Sequence, residues 1–431
     1  MKLRAFAYLG LFLLGFGLFF AQGQSSPSIE SKYVKSIAKL KKSKEVKRAF
    51  QEILALEDKT LERHIALTEI PAPPFKEQKR AEAMQAYFTS LGADFVWIDE
   101  VGNVLALVEG SKGNLNIAVD AHLDTVFPEG TDVRVRIQND TLYAPGIADD
   151  TRGLSMLLTL LETLRTTGIQ PEHNLLLIAS VGEEGLGDLR GVKHLFRKDG
   201  PKIDKWISVD GGSLARVNNQ GLGSYRYRIH FDGPGGHSWG AFGLANPHHA
   251  LGGMISKFVQ YADAYTKSGP KTSYNIGTIR GGTSVNSIPF ESVMEVDIRS
   301  IEPSRLDDME ELLKQAANEA LIYQNSIKRR GPDLSLRIDK IGNRPSGKLS
   351  ESLPLIQSAL AASQSFGAEP QLTIGSTNSN IPISKNIPAV TIGIGGRGGK
   401  AHSLDEWWTN DNGHLSIQML LLLTLSQTGI N

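Results

Sequence analysis

The sequence predicts an α/β fold, in which a mostly parallel sheet is covered on both faces by helices and interrupted by a smaller α+β insertion. Three observations carry this. Apolar strand-like runs alternate with segments of helical periodicity in the first half of the chain and again near its end. Between residues 218 and 342 the order becomes β-α-β-β-α-β, the split, ferredoxin-like arrangement. The length of 431 residues suggests two to three domains, and 40% hydrophobic with 21% charged residues is an ordinary globular balance.

In chain order, residues 1–23 read as a secretory signal peptide. Lys2 and Arg4 precede an apolar run from Ala5 to Phe20, and Ala21-Gln22-Gly23 offers small residues for cleavage. The apolar run is about 16 residues, short for a membrane span of about 20. The expectation is therefore export, to the periplasm or the medium, with an uncleaved N-terminal anchor as the alternative. Residues 24–45 read as a linker and N-terminal extension, and the basic stretch Lys35 to Arg48 as a solvated helix face. Helical spacing then runs from Val46 to Glu69 through Phe50, Ile53, Leu61 and Ile65, until Pro71, Pro73 and Pro74 break it.

A second helix is expected over 77–91, strands over 94–98, 104–109 and 116–121, and a long helix over 152–166. Strands over 174–181 and 205–209 complete the first part of the larger domain, 46–217. Within the insertion, 224–231 alternates with period two, as a half-exposed strand does. It is followed by a helix over 247–266, strands over 274–281 and 292–299, a helix over 304–322 and a strand over 334–341. The larger domain resumes over 343–431 with a helix over 352–365, an apolar strand over 389–394 and a final helix over 413–428.

Composition excludes several chemistries. Lys plus Arg and Asp plus Glu each number 46, so net charge gives no basis for a nucleic-acid partner. There is no cysteine, which removes disulfides, thiolate metal sites and Cys nucleophiles. Any metal must be held by His, Asp and Glu.

Of the ten histidines, His64, His173, His194, His230 and His414 read as surface or structural residues, and His248 and His249 as part of a helix start. His122 differs. It closes an apolar strand as His122-Leu123-Asp124, and residues i and i+2 of an extended chain point the same way. Asp124 can thus accept the other ring N–H and fix the tautomer for metal binding. Asp149 and Asp150 precede the long helix, where simple helix capping would also explain them. Glu183 and Glu184 end the next buried strand, where two carboxylates are costly unless a positive charge meets them. Strand 205–209 ends in Asp210, and strand 389–394 leads through a glycine-rich loop to His402. Ligand sites of open α/β sheets lie beyond the carboxyl ends of the strands. Two His and three carboxylates converging there suit two divalent ions, zinc first by the absence of sulfur, with cobalt or manganese as alternatives.

Taken together, these residues resemble the M20 family of co-catalytic metallopeptidases, the group that includes peptidase T and glutamate carboxypeptidase. The resemblance runs from about Thr68 to the C-terminus, includes the insertion, and keeps five motifs in order. It implies a zinc-peptidase-like catalytic domain with the insertion as lid and dimerisation domain. It implies that Asp149 bridges two metals, with His122 and Asp210 at one and Glu184 and His402 at the other. Asp124 then orients His122, and Glu183 is the general base. A cis peptide is expected after Asp149, while Thr151 departs from the family's frequent Asp-x-Lys-x-Gly pattern.

In the insertion, Gly233 to Ser238 matches the turn whose His, here His237, stabilises the oxyanion, often across a dimer interface. Asn286 lies in the segment that helps hold substrate, and Arg299 and Asn380 are the further substrate-binding candidates. Asn378 stands where many relatives carry Asp. The implied activity is exopeptidase cleavage of short peptides by a homodimer. Deacylation of N-acyl amino acids is the alternative, and a non-catalytic metal-dependent envelope binding protein is the third reading.

Overall fold

The apolar runs assemble into one mixed sheet that is parallel where it matters. The computed structural model describes residues 27–431, so the expected signal segment lies outside the described residues. Along the sheet the order is Phe95–Ile98, Val104–Val108, Asn174–Ser180, Asn116–His122, Lys205–Val209, Ala389–Ile392, Arg216–Gly221 and Gly347–Lys348, with Gln371–Gly375 also paired to Arg216–Gly221. The four adjacent strands from Asn174–Ser180 to Ala389–Ile392 are mutually parallel. Their carboxyl ends therefore open on the same edge, and these are the four strands whose ends carry the acids and histidines.

Period-two alternation splits the strand side chains between two cores. Ile117, Val119, Leu175, Leu177 and Ile207 join the larger core, while Ala118, Leu176, Ile178 and Trp206 join a smaller one with Leu189, Val192 and Ile381. The helix Thr151–Thr167 lies in the larger core and is buried nearly all round. Asp150 caps its start by accepting from the Gly153 N–H, and Gly168 ends it in the left-handed conformation, at φ 65°. Among the described residues no helix is long and apolar enough to cross a membrane.

The insertion is the expected split βαβ unit. Its sheet runs in the order Thr272–Gly281, Glu291–Ser300, Gly223–Asp232, Ser335–Arg344, all antiparallel. The helices Pro247–Thr266 and Pro303–Ile327 cover one face, where Tyr227, Ile229, Phe231, Val296 and Ile298 are buried. The other face carries the alternate residues, among them Arg226, Asp297 and Arg299.

Three boundaries differ from the sequence reading. Residues 31–45 are no linker: helix Ser31–Lys42 buries Ile37 in the larger core, and helix Lys44–Ala55 follows after one residue. Their lysines do form the expected solvated face, which masked the buried stripe beneath. The helical run 46–69 is two helices, Lys44–Ala55 and Glu57–Thr68, which meet at Leu56. The insertion spans Gly223 to Arg344 and not 218–342, because Arg216–Gly221 pairs within the main sheet despite its polar sequence. A small antiparallel sheet of Arg136–Gln138, Thr141–Tyr143, Trp407–Thr409 and Arg397–Gly399 was not foreseen; its strands are only three residues long.

Candidate active site

At the open edge of the four parallel strands the predicted acids and histidines meet. His122 Nε2 is 2.9 Å from Asp149 Oδ1. His402 Nε2 is 3.2 Å from Asp149 Oδ2 and 3.0 Å from Glu184 Oε1. Two sets of donor atoms, His122/Asp149/Asp210 and Asp149/Glu184/His402, each lie within 4.8 Å, and Asp149 is common to both. The peptide between Asp149 and Asp150 is cis, as the resemblance implied.

The electrostatics are those of a site that wants cations. Burial opposes ionisation of Asp149, but hydrogen bonds with His122 and His402 outweigh it and hold the carboxyl well below its usual range. Hydrogen bonds to Asp149 and Glu184 push His402 up to about 10, so the imidazole holds a proton where the carboxylates face it. Burial raises Asp210, against the opposing pull of Arg216 and His122. Burial likewise pushes Glu183 up to about 8, against the pull of Arg344. The donors are nitrogen and oxygen only, in two compact groups with a shared carboxylate, which fits a pair of divalent ions. A cavity of 320 Å³ opens beside them, lined by Asp149, Glu183, Glu184, Asp210 and His402 together with Arg216, Arg226, Arg299 and Arg344.

The sequence profile of peptidase family M20/M25/M40 matches residues 118–426. The chain belongs to the M20/M25/M40 peptidase family. As a member it is an enzyme of the hydrolase class. Protein YqjE of Bacillus subtilis is 23% identical over 355 residues, which cover 79% of this M20 chain and 91% of that protein. A crystal structure of a tripeptidase from Staphylococcus aureus superposes with a TM-score of 0.69 at 19% identity, covering 86% of this chain and 99% of that one. A Bacillus subtilis structure described as a dinuclear metal-binding peptidase of the M20 family gives 0.61 at 15% identity, covering 87% and 99%.

Two residues of this M20 site are placed differently from what the sequence leads one to expect. The Asp124 carboxylate does not take the ring N–H of His122, whose Nδ1 lies 2.9 Å from the Asp124 carbonyl oxygen and 3.8 Å from the carboxylate. That carboxylate instead accepts from the backbone N–H groups of Glu183 and Glu184, at 2.9 and 2.7 Å. The strand ends at His122, so the Asp124 carbonyl reaches the ring while its side chain reaches the neighbouring strand end. Asn380 is fully buried at the domain junction; it donates to the carbonyls of Leu222 and Pro345 and is not among the residues that line the 320 Å³ cavity. Its side-chain oxygen accepts from the Thr377 N–H, so the amide is spent on structural bonds and not on the cavity.

Asn378 donates to Asp120 and Ser180 beneath the site. His237 pairs with Ser287, the residue after Asn286, in the short ladder of Gly236–His237 and Ser287–Ile288; His237 and Asn286 are exposed and do not line the 320 Å³ cavity of this chain. Arg299 alone of the substrate candidates lines the cavity.

Two positioning residues escaped the sequence reading. Arg344, the last residue of a strand of the insertion, donates to Glu183 Oε1 at 3.0 Å, to the Glu183 carbonyl, and to Ser376 Oγ at 3.1 Å. Glu406 is buried and accepts from the N–H groups of Gly146, Ala148 and Asp149 at 3.1, 2.8 and 3.0 Å, gripping the loop that presents Asp149. Its spacing four residues after His402 was the available signal. His230, read as lacking acidic neighbours, sits in a group with Asp232 and Glu291 that antiparallel pairing brings together.

Proposed function

We propose that this M20 chain hydrolyses amide bonds of short peptides, as an exopeptidase, with two divalent ions held through Asp149. The observation that carries the reading is that the two oxygens of Asp149 face two different imidazoles, each with a further carboxylate in its group. His122 and Asp210 would complete one ion's ligands, and Glu184 and His402 the other's. Zinc suits the nitrogen and oxygen donors, with cobalt or manganese as alternatives. When bound, such a pair polarises a scissile carbonyl and eases ionisation of a water.

The chain's own groups supply the remaining work. Glu183, buried with its carboxyl raised to about 8, takes the proton of the attacking water and returns it to the leaving amine. Arg344 fixes the Glu183 carboxylate in one orientation, and Asp124 fixes the backbone that carries Glu183 and Glu184. Arg299 opens on the cavity and receives a substrate carboxylate. His237 donates to the developing oxyanion from the other chain of a homodimer. The exposed apolar side chains Trp239, Phe242, Val285 and Phe290 of its own region favour such a contact. The segment 1–23 supports export as the location.

A panel of di- and tripeptides and N-acyl amino acids, with products identified by mass spectrometry, tests the activity. Removal of single terminal residues from peptides is the expected result. Cleavage of N-acyl amino acids without any peptide would move the reading to a deacylase.

A further inference from the structure

Four guanidinium groups share the 320 Å³ cavity with the acids. They come from separate segments: Arg216 from the main sheet, Arg226 and Arg299 from the open face of the insertion's sheet, and Arg344 from that sheet's last strand. Guanidinium groups stay charged at any working pH. Their counter-charges are few. Arg344 is committed to Glu183. Arg226 and Arg299 both use Asp297, through their Nε atoms at 3.2 and 2.6 Å.

Among the described residues Arg216 hydrogen-bonds only the Asp210 carbonyl, through Nη1, and stands 3.9 Å from its carboxylate, which belongs to the candidate metal set. Among the described residues, Arg299 bonds only through Nε, and Arg226 spends one terminal nitrogen on the Gly185 carbonyl. Several N–H groups on these cavity-lining cations thus have no hydrogen-bond partner among the described residues. Two divalent ions would bring four positive charges against the three carboxylates Asp149, Glu184 and Asp210, so the cavity would hold an excess of positive charge. Partly desolvated cations without partners are costly unless an anion meets them.

We propose that the substrate is a dianion: beside the carboxylate that Arg299 receives, it carries a second carboxylate, on a group flanking the scissile amide, that Arg226 and Arg216 bind. This rests on the amide-hydrolase reading above. Planar, two-pronged guanidinium recognition suits carboxylates and discriminates an acid from its amide at nearly equal size. The chemistry is therefore Glu or Asp against Gln or Asn. The second carboxylate can sit on the leaving residue or on the acyl side.

The test compares kcat/KM for isosteric pairs in both arms, Ala-Glu against Ala-Gln and N-acetyl-Glu against N-acetyl-Gln, then Glu-Ala against Gln-Ala and N-succinyl-Ala against N-butyryl-Ala. The acid is expected to exceed its uncharged partner by about tenfold or more in one arm, the arm naming the side. Arg226→Gln and Arg216→Gln should bring the ratio towards one, and Arg226→Lys should restore part of it. Calorimetry with glutarate and butyrate gives a readout independent of turnover, with glutarate the tighter ligand and the difference reduced by Arg226→Gln. Melting curves confirm that each variant is folded.

A ratio near or below one in every arm, or a ratio that survives both substitutions, overturns the proposal while amide hydrolysis stands. No hydrolysis of any compound, with glutarate still preferred through Arg226, overturns the hydrolase reading and leaves the dianion site.

Discussion

Replacing Glu406 by Gln should cripple metal binding without touching a candidate ligand. The carboxylate accepts three backbone N–H groups: Oε1 takes those of Ala148 and Asp149, and Oε2 takes that of Gly146. Burial pushes this carboxyl up to about 7, so at pH 8 it is the ionised acceptor that all three bonds require. A glutamine amide has one accepting oxygen. In its better orientation it keeps Ala148 and Asp149, and turns its NH₂ against the Gly146 N–H. One bond to a charged acceptor is lost and one buried donor is stranded, worth about 1.5–3 kcal/mol. The loop that carries Asp149 then relaxes, and loss of such supporting contacts typically weakens metal affinity by about 10–100-fold. Zinc competition against a chromophoric chelator at pH 8 and thermal melting of the metal-free protein read the two effects. A Gln variant with zinc affinity within twofold of the parent and an unshifted melting temperature would refute the reasoning.

Glu183→Ala should reduce turnover by about 10²–10⁴-fold, the usual worth of a general base, while mass analysis still finds the parent's metal content. Metal loss equal to that of a ligand variant would place Glu183 among the ligands. His237→Ala and Glu183→Ala, each inactive alone, should recover about a quarter of wild-type activity when mixed and allowed to exchange chains, because half the dimers then hold one intact composite site. No recovery from a mixture shown to form mixed dimers would return His237 to its own chain. Acid sensitivity should trace in part to His64, buried with Nε2 donating to the Ile147 carbonyl and its pKa lowered to about 3 by burial and nearby Arg152. Between pH 6.5 and 3 only the unfolded chain gains that proton, so stability falls as pH falls. The contribution is about 2 kcal/mol between pH 7.5 and 5. Urea unfolding of wild type and His64→Gln at both values measures it, and equal losses in the two proteins would contradict it.

Much of the candidate site is legible in the sequence because of one geometric fact. Parallel strands share a direction, so residues just after His122, Glu183, Asp210 and the strand Ala389–Ile392 must collect at one edge. Strand ends are visible as apolar runs, and no knowledge of strand order is needed. What depends on the relative placement of separated segments stayed hidden. Arg344 reaches Glu183 across 161 residues from an insertion whose docking no local pattern encodes. The His-x-Asp reading failed at Asp124 because side-chain alternation holds only while the strand continues, and the chain leaves the strand after His122. Asn380 looked like a substrate contact by its neighbourhood, yet its amide satisfies buried carbonyls at the junction of the two domains. The insertion's β-α-β-β-α-β order was clear from periodicity, whereas its edges were blurred by the polar strand Arg216–Gly221.

In the proposed site one carboxylate, that of Asp149, serves two ions. Native mass spectrometry of chelator-stripped protein, reloaded with zinc, tests it most directly. Wild type should take up two ions per chain, and Asp149→Ala should hold one at most, because both groups of donors lose their common member. One ion in the wild type, or two retained tightly by Asp149→Ala, would contradict it.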